Sequence, residues 1–130
     1  MINRQQMSGF IFVVTSLCIL IISCLPGSNI PSGAVAFAPM DLITHFLMYG
    51  FLSYVLYRFL RDLFYPHQLG SVSLIFVVLA PFVYGVVLEL LQSFVPERHP
   101  STEDALFNLM GSCLSLILIV LWRKFMAKYR

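Results

Sequence analysis

Four long apolar runs, at 8–25, 42–60, 72–95 and 105–122, take up most of this chain and decide what it can fold into. A helix rises about 1.5 Å per residue and the hydrocarbon core of a bilayer is about 30 Å thick, so about 20 apolar residues make one crossing. Each run has that reach. The chain's 130 residues are 59% hydrophobic and only 11% charged, against roughly 25% charged in an average soluble domain. A soluble fold of this length has no way to hide so much apolar surface, and four crossings with short loops leave no room for a separate soluble domain. The expected fold is an all-α membrane protein, a four-helix transmembrane bundle forming one domain over 1–130. Pro81, inside the third run, would break a soluble helix, but neighbouring helices in a bilayer can satisfy the freed carbonyl. The Pro-punctuated stretch 26–39 reads as a loop.

Cytoplasmic flanks retain Lys and Arg. If the helices alternate, Arg4, Arg58, Arg61, Arg123, Lys124, Lys128 and Arg130 fall on one side and Arg98 alone on the other. Both termini and the 61–71 loop are therefore expected to be cytoplasmic, with the 26–41 and 96–104 loops outside. Ile21-Ile22-Ser23-Cys24 has the look of a lipoprotein cleavage box. With one basic residue before it and three spans after it, an uncleaved multi-pass chain is the expectation. A net charge of +2 gives no footprint for nucleic acid. Cys18, Cys24 and Cys113 form no ligand or disulfide pattern and read as small packing residues.

Five of the six carboxylates, Asp41, Glu89, Glu97, Glu103 and Asp104, gather on the outward side of this topology. Asp41, His45 and Tyr49 recur at i, i+4, i+8 on one helical face, and Glu89 and Gln92 share another. Asp104, Asn108, Gly111, Ser112 and Ser115 make a small and polar stripe on the fourth helix, where Gly111 and Ser115 form a small-xxx-small pair that admits a close neighbour. Each has a structural reading. Asp41 would cap the second helix and Ser101 or Asp104 the fourth, where Ser101-Thr102-Glu103-Asp104 also matches a capping box with Asp104 at its third position, while Gln92 and Asn108 would be interhelical glue. Glu89 resists such a reading, because a carboxylate inside a span costs about 2.5–3.5 kcal/mol and must be protonated, paired or hydrated. His45, Arg98 and Asn108 are its expected partners.

The stretches Asp41-Leu-Ile-Thr-His45-Phe-Leu-Met-Tyr49 and Glu89-Leu-Leu-Gln92-Ser-Phe-Val-Pro96-Glu-Arg98, followed by Ser101, Asp104, Asn108 and Gly111, resemble the VanZ-like family in order and spacing. Leu42 departs from the lysine that often follows the aspartate there. The resemblance implies the bacterial inner membrane, the cell envelope and a relation to teicoplanin resistance, but it supplies no reaction.

Asp41, His45, Tyr49, Glu89, Gln92, Arg98, Asp104 and Asn108 are thus the candidate binding residues, with Asp41, His45 and Glu89 the candidates for catalysis. A polar pocket over apolar walls suits an amphiphile: a membrane lipid, a lipid-linked envelope precursor or a glycopeptide. The alternative is a membrane enzyme using His45 and Glu89 as acid and base on a lipid-linked substrate. A transporter is a third reading, for which four helices are few. Cations that could clamp a phosphate are scarce. A metal on Asp41, His45 and Glu89 would make up for them, but no motif is specific, so no metal and no cofactor are assigned.

Overall fold

The computed structural model describes residues 3–26 and 38–129, with the side chains of 38–40 left aside. It contains four helices, α1 (Arg4–Ser23), α2 (Ala38–Leu63), α3 (Ser71–Gln92) and α4 (Thr102–Lys128), and no strand among the described residues. Most of the loop expected over 26–39 lies outside those residues.

The helices outrun or fall short of the apolar runs because capping chemistry, not hydropathy, sets helix ends. At α1 the Asn3 side chain accepts from the Gln6 backbone N–H at 2.7 Å and the Gln6 side chain accepts from the Asn3 N–H at 3.0 Å. That capping box starts the helix at Arg4, ahead of residue 8. α2 begins at Ala38 rather than 42, which puts Asp41 in the first turn instead of at the cap. α3 stops at Gln92, short of 95, where the Ser93 hydroxyl donates to the Leu90 carbonyl at 2.6 Å. α4 opens earlier than 105, at Thr102, and continues past 122 through a basic stretch that carries no apolar signal.

α1, α3 and α4 are long and apolar enough to cross a membrane. α2 has the length, its 26 residues reaching about 39 Å, but His45, Tyr49, Ser53, Tyr57 and Arg58 dilute its apolar character. Its position explains the difference. α2 and α3 each pack against all three other helices, α2 far more extensively, whereas α1 and α4 do not meet among the described residues. Polar side chains on α2 can therefore be buried against protein: His45, Tyr49 and Ser53 are all buried. The outward faces are apolar, with Phe10, Ile21, Leu47, Leu90 and Trp122 each more than half exposed. No soluble surface carries such a coat, because burying it is what folding in water requires.

Small residues set the closest approaches. A Cβ on Gly111 of α4 would collide with the Phe46 carbonyl oxygen of α2, and one on Gly50 would lie 3.1 Å from the Gly111 carbonyl oxygen, so the two backbones touch. α1 meets α2 where Phe12 stacks on Phe59 with ring centroids 5.9 Å apart, above Gly9. α3 runs unbroken through buried Pro81. It is tied to α1 by the Tyr84 hydroxyl, which donates to the Ser16 carbonyl at 2.7 Å. Removing that hydroxyl in Tyr84→Phe should cost about 0.5–1.5 kcal/mol. Unfolding of the detergent-solubilised chain, followed by far-UV circular dichroism in a denaturant series, measures it; an unchanged midpoint would mean the bond contributes nothing.

Candidate functional site

The start of α2, the end of α3 and the start of α4 meet at one end of the bundle, joined there by the end of α1. Gln92 Nε2 donates to the Ser23 carbonyl at 3.1 Å, and Arg98 Nε to the Leu25 carbonyl at 3.3 Å. The basic residues of α2 and α4 lie at the opposite end, where Arg123 donates to the Leu69 carbonyl at 3.3 Å. The segregation of charge read along the sequence is thus a segregation in space.

His45 is the centre of the polar end. It is 8% exposed, and carboxylates from three helices surround it. Asp41, one turn earlier, has Oδ1 at 3.9 Å from Nε2; Asp104 of α4 has Oδ2 at 3.8 Å from Nε2; Glu89 of α3 has Oε1 at 3.8 Å from Nδ1. Nδ1 also lies 3.0 Å from Asn108 Oδ1. A carbonyl oxygen only accepts, so this contact requires the proton on Nδ1, a tautomer that the nearby Glu89 also favours. Nε2, on the other side of the ring, is turned toward Asp41 and Asp104.

The α3 carboxylate reaches this place for a local reason. Ser101 caps α4, its hydroxyl accepting from the Asp104 N–H at 3.3 Å. In a complete capping box the side chain at Asp104 would return a bond to the Ser101 N–H. Here Glu89 Oε2 takes that N–H instead, at 3.1 Å. One carboxylate of α3 therefore completes the cap of α4, and Asp104 is free to face His45.

Beneath the imidazole, Tyr49 is 1% exposed and its ring is stacked nearly parallel to His45, 4° between planes and 6.3 Å between centroids. Gly85 makes room for this layer: a Cβ there would fall 2.6 Å from Asn108 Nδ2 and 2.8 Å from the Tyr49 ring. Asn108 itself is fully buried, and its Nδ2 has no hydrogen-bond partner among the described residues. An orphaned buried donor costs about 1–3 kcal/mol. Asn108 is a poor choice for stability, then, and a good one for fixing the tautomer of His45.

The eight candidates thus divide. Asp41, His45, Tyr49, Glu89, Asp104 and Asn108 form one contiguous cluster, with Gln92 and Arg98 beside it tying the end of α1. Arg98 makes no ion pair with Glu89 among the described residues, its Nε donating instead to the Leu25 carbonyl. Gly85, Gly50 and the Ser23 carbonyl were not singled out from the sequence. Gly85 stands at i−4 from Glu89, and a glycine on the face of a membrane carboxylate is the signal that would have found it. A separate hollow of about 1420 Å³ opens between α2 and α4 toward the basic end, lined by Tyr57, Arg61, Trp122 and Arg123 among others, and no side chain of the cluster enters it.

A lipid-facing coat around a helical bundle, with a buried histidine and three carboxylates at one end, defines the class: a small helical membrane protein carrying a polar end site. The chain belongs to the VanZ/LLP1 family, whose model matches residues 10–123. That span takes in all eight candidates. No curated protein and no solved structure matches the chain.

Proposed function

We propose that this VanZ-like membrane protein crosses the bacterial inner membrane four times, with both termini cytoplasmic, and that the end site faces outward to hold the polar head of an envelope amphiphile. The head in question is that of a lipid, a lipid-linked glycan carrier or a glycopeptide. The observation that carries this reading is the His45 cluster, buried on α3 and α4 but opening through Asp41, whose side chain is 52% exposed. Hydrogen-bonding groups recessed into the end of an apolar bundle suit a molecule that is itself polar at one end and apolar along its length. α2, diluted as it is, crosses under the cover of its three neighbours.

Orientation is tested in a chain whose three cysteines are replaced. A cysteine at Pro100, or at Ser32 outside the described residues, is expected to react with an impermeant thiol reagent added to whole cells, while one at Gly70 reacts only after lysis. The opposite pattern would put the site in the cytoplasm. Ligand binding is tested by native mass spectrometry of the detergent-purified chain. A lipid-sized adduct that the wild type retains and His45→Gln loses is expected. Equal adducts on both proteins would refute the site.

A second reading, acid–base catalysis on a lipid-linked substrate, is favoured by one observation: His45 has a carboxylate within 3.9 Å of each ring nitrogen. That arrangement can pass a proton from one side of the ring to the other. Incubation with a radiolabelled lipid-linked precursor separates the two, since an enzyme releases product and a binding module returns the precursor intact.

A further inference from the structure

On the outer side of the imidazole, His45 Nε2 and the carboxylates of Asp41 and Asp104 face one another without a hydrogen bond between them. His45 is more than nine-tenths buried, and its Nε2 makes no hydrogen bond among the described residues. The nearest acceptors, Asp41 Oδ1 at 3.9 Å and Asp104 Oδ2 at 3.8 Å, are too far for one. The two carboxylates and the imidazole nitrogen nevertheless converge, one atom from each lying within 4.8 Å of the others. No Lys or Arg makes an ion pair with Asp41, Glu89 or Asp104 among the described residues, Arg98 acting on Asp104 only from a longer range.

We propose that Asp41, His45 and Asp104 bind a divalent cation of the zinc or manganese type, through Nε2 of the imidazole and one oxygen from each carboxylate. Metal–ligand bonds of about 2.0–2.2 Å at tetrahedral or octahedral angles place neighbouring ligand atoms about 2.9–3.6 Å apart. The 3.8 and 3.9 Å spacings from Nε2 exceed a hydrogen bond, and the three ligand atoms, all within 4.8 Å of one another, would draw together on an ion by side-chain rotation. The tautomer argues the same way. Asn108 Oδ1 accepts from Nδ1, so the neutral ring that a metal selects presents its lone pair at Nε2, and a carbonyl or carboxylate behind the far ring nitrogen is the usual support of a ligating histidine. Glu89 also lies on the Nδ1 side, with its other oxygen on the Ser101 N–H, so it orients the histidine and does not complete the shell. One imidazole with two carboxylates suits a borderline ion, whereas magnesium and calcium take oxygen ligands. Asp41, at the exposed end of the cluster, leaves the remaining positions open to water or to a polar head group. This inference stands on the side chains alone and holds whether or not an amphiphile binds.

The test uses the full chain in detergent, stripped with a chelator and dialysed against Mn²⁺ or Zn²⁺, with bound metal counted by elemental mass spectrometry. One ion per chain is expected. His45→Gln and Asp104→Asn, which keep size, should weaken binding by about tenfold or more, and Asn108→Ala, acting from behind the ring, by about 10–100-fold. Glu97→Gln should bind as the wild type does. Far-UV circular dichroism and gel filtration of each variant separate lost ligands from lost fold, and Asp41→Asn supplies a ligand variant whose own side chain is half exposed. Absence of stoichiometric metal on the folded wild type would overturn the proposal. So would binding that none of the ligand variants weakens, or a preference for Mg²⁺ or Ca²⁺ over both transition ions. Because metal is measured without any lipid, loss of the amphiphile reading would leave this result untouched.

Discussion

Gly111→Ala is expected to prevent assembly of the bundle, at a cost of about 3 kcal/mol or more, although it adds a single methyl group. The methyl would collide with the Phe46 carbonyl oxygen and crowd Gly50 N at 3.1 Å. Both of those atoms are backbone, and neither can rotate away. Overpacking of a tight contact ordinarily costs about 1–3 kcal/mol, and the upper end applies when helices must separate to relieve it. Separating α2 from α4 also withdraws Asp104 and Asn108 from His45, so the site should be lost with the fold. Gly70→Ala is the matched control, since a Cβ there meets nothing within 4 Å. Membrane-fraction abundance and the midpoint of a denaturant series should fall for Gly111→Ala and hold for Gly70→Ala. Equal behaviour of the two would mean that α2 and α4 are not in backbone contact.

Glu89→Gln should have the opposite signature, an intact fold with function gone. The substitution keeps volume, and the amide oxygen of glutamine can still accept from the Ser101 N–H, so the cap of α4 survives. What disappears is the negative charge 3.8 Å from His45 Nδ1. Removing a charged partner costs about 1.5–3 kcal/mol, equivalent to a loss of about tenfold or more in whatever the site binds or turns over. Insertion should become slightly easier, because a neutral amide is cheaper than a carboxylate in hydrocarbon. Glu97→Gln, in the exposed connection after α3, should change little. An envelope phenotype, such as teicoplanin susceptibility in a host where the wild type shifts it, is compared with membrane abundance by immunoblot. Full activity of Glu89→Gln at equal abundance would return the polar cluster to the role of structural glue.

Much of this molecule is legible in the residues. Apolar runs of crossing length fix four helices, since lipid leaves a lone segment no other way to satisfy its backbone. Spacings of three and four put Asp41 with His45, and Asp104 with Asn108, on common faces, because 3.6 residues make a turn. A carboxylate inside a span marks Glu89 as costly, and in the fold Glu89 is buried. All of these are local: they depend on period, length and the price of charge in lipid.

Relations between helices were decided by tertiary structure alone. Spacing along one helix carries no information about which helix it faces, so nothing in the sequence put α2 at the centre or set Gly50 against Gly111. The pairing expected between Arg98 and Glu89 rested on proximity in sequence. The fold instead gives Arg98 the Leu25 carbonyl and gives Glu89 the Ser101 N–H. That exchange of partners, a capping bond supplied from another helix, is what frees Asp104 for His45. A capping box read from sequence assumes its two halves belong to one helix, and only packing could show that the second half came from α3.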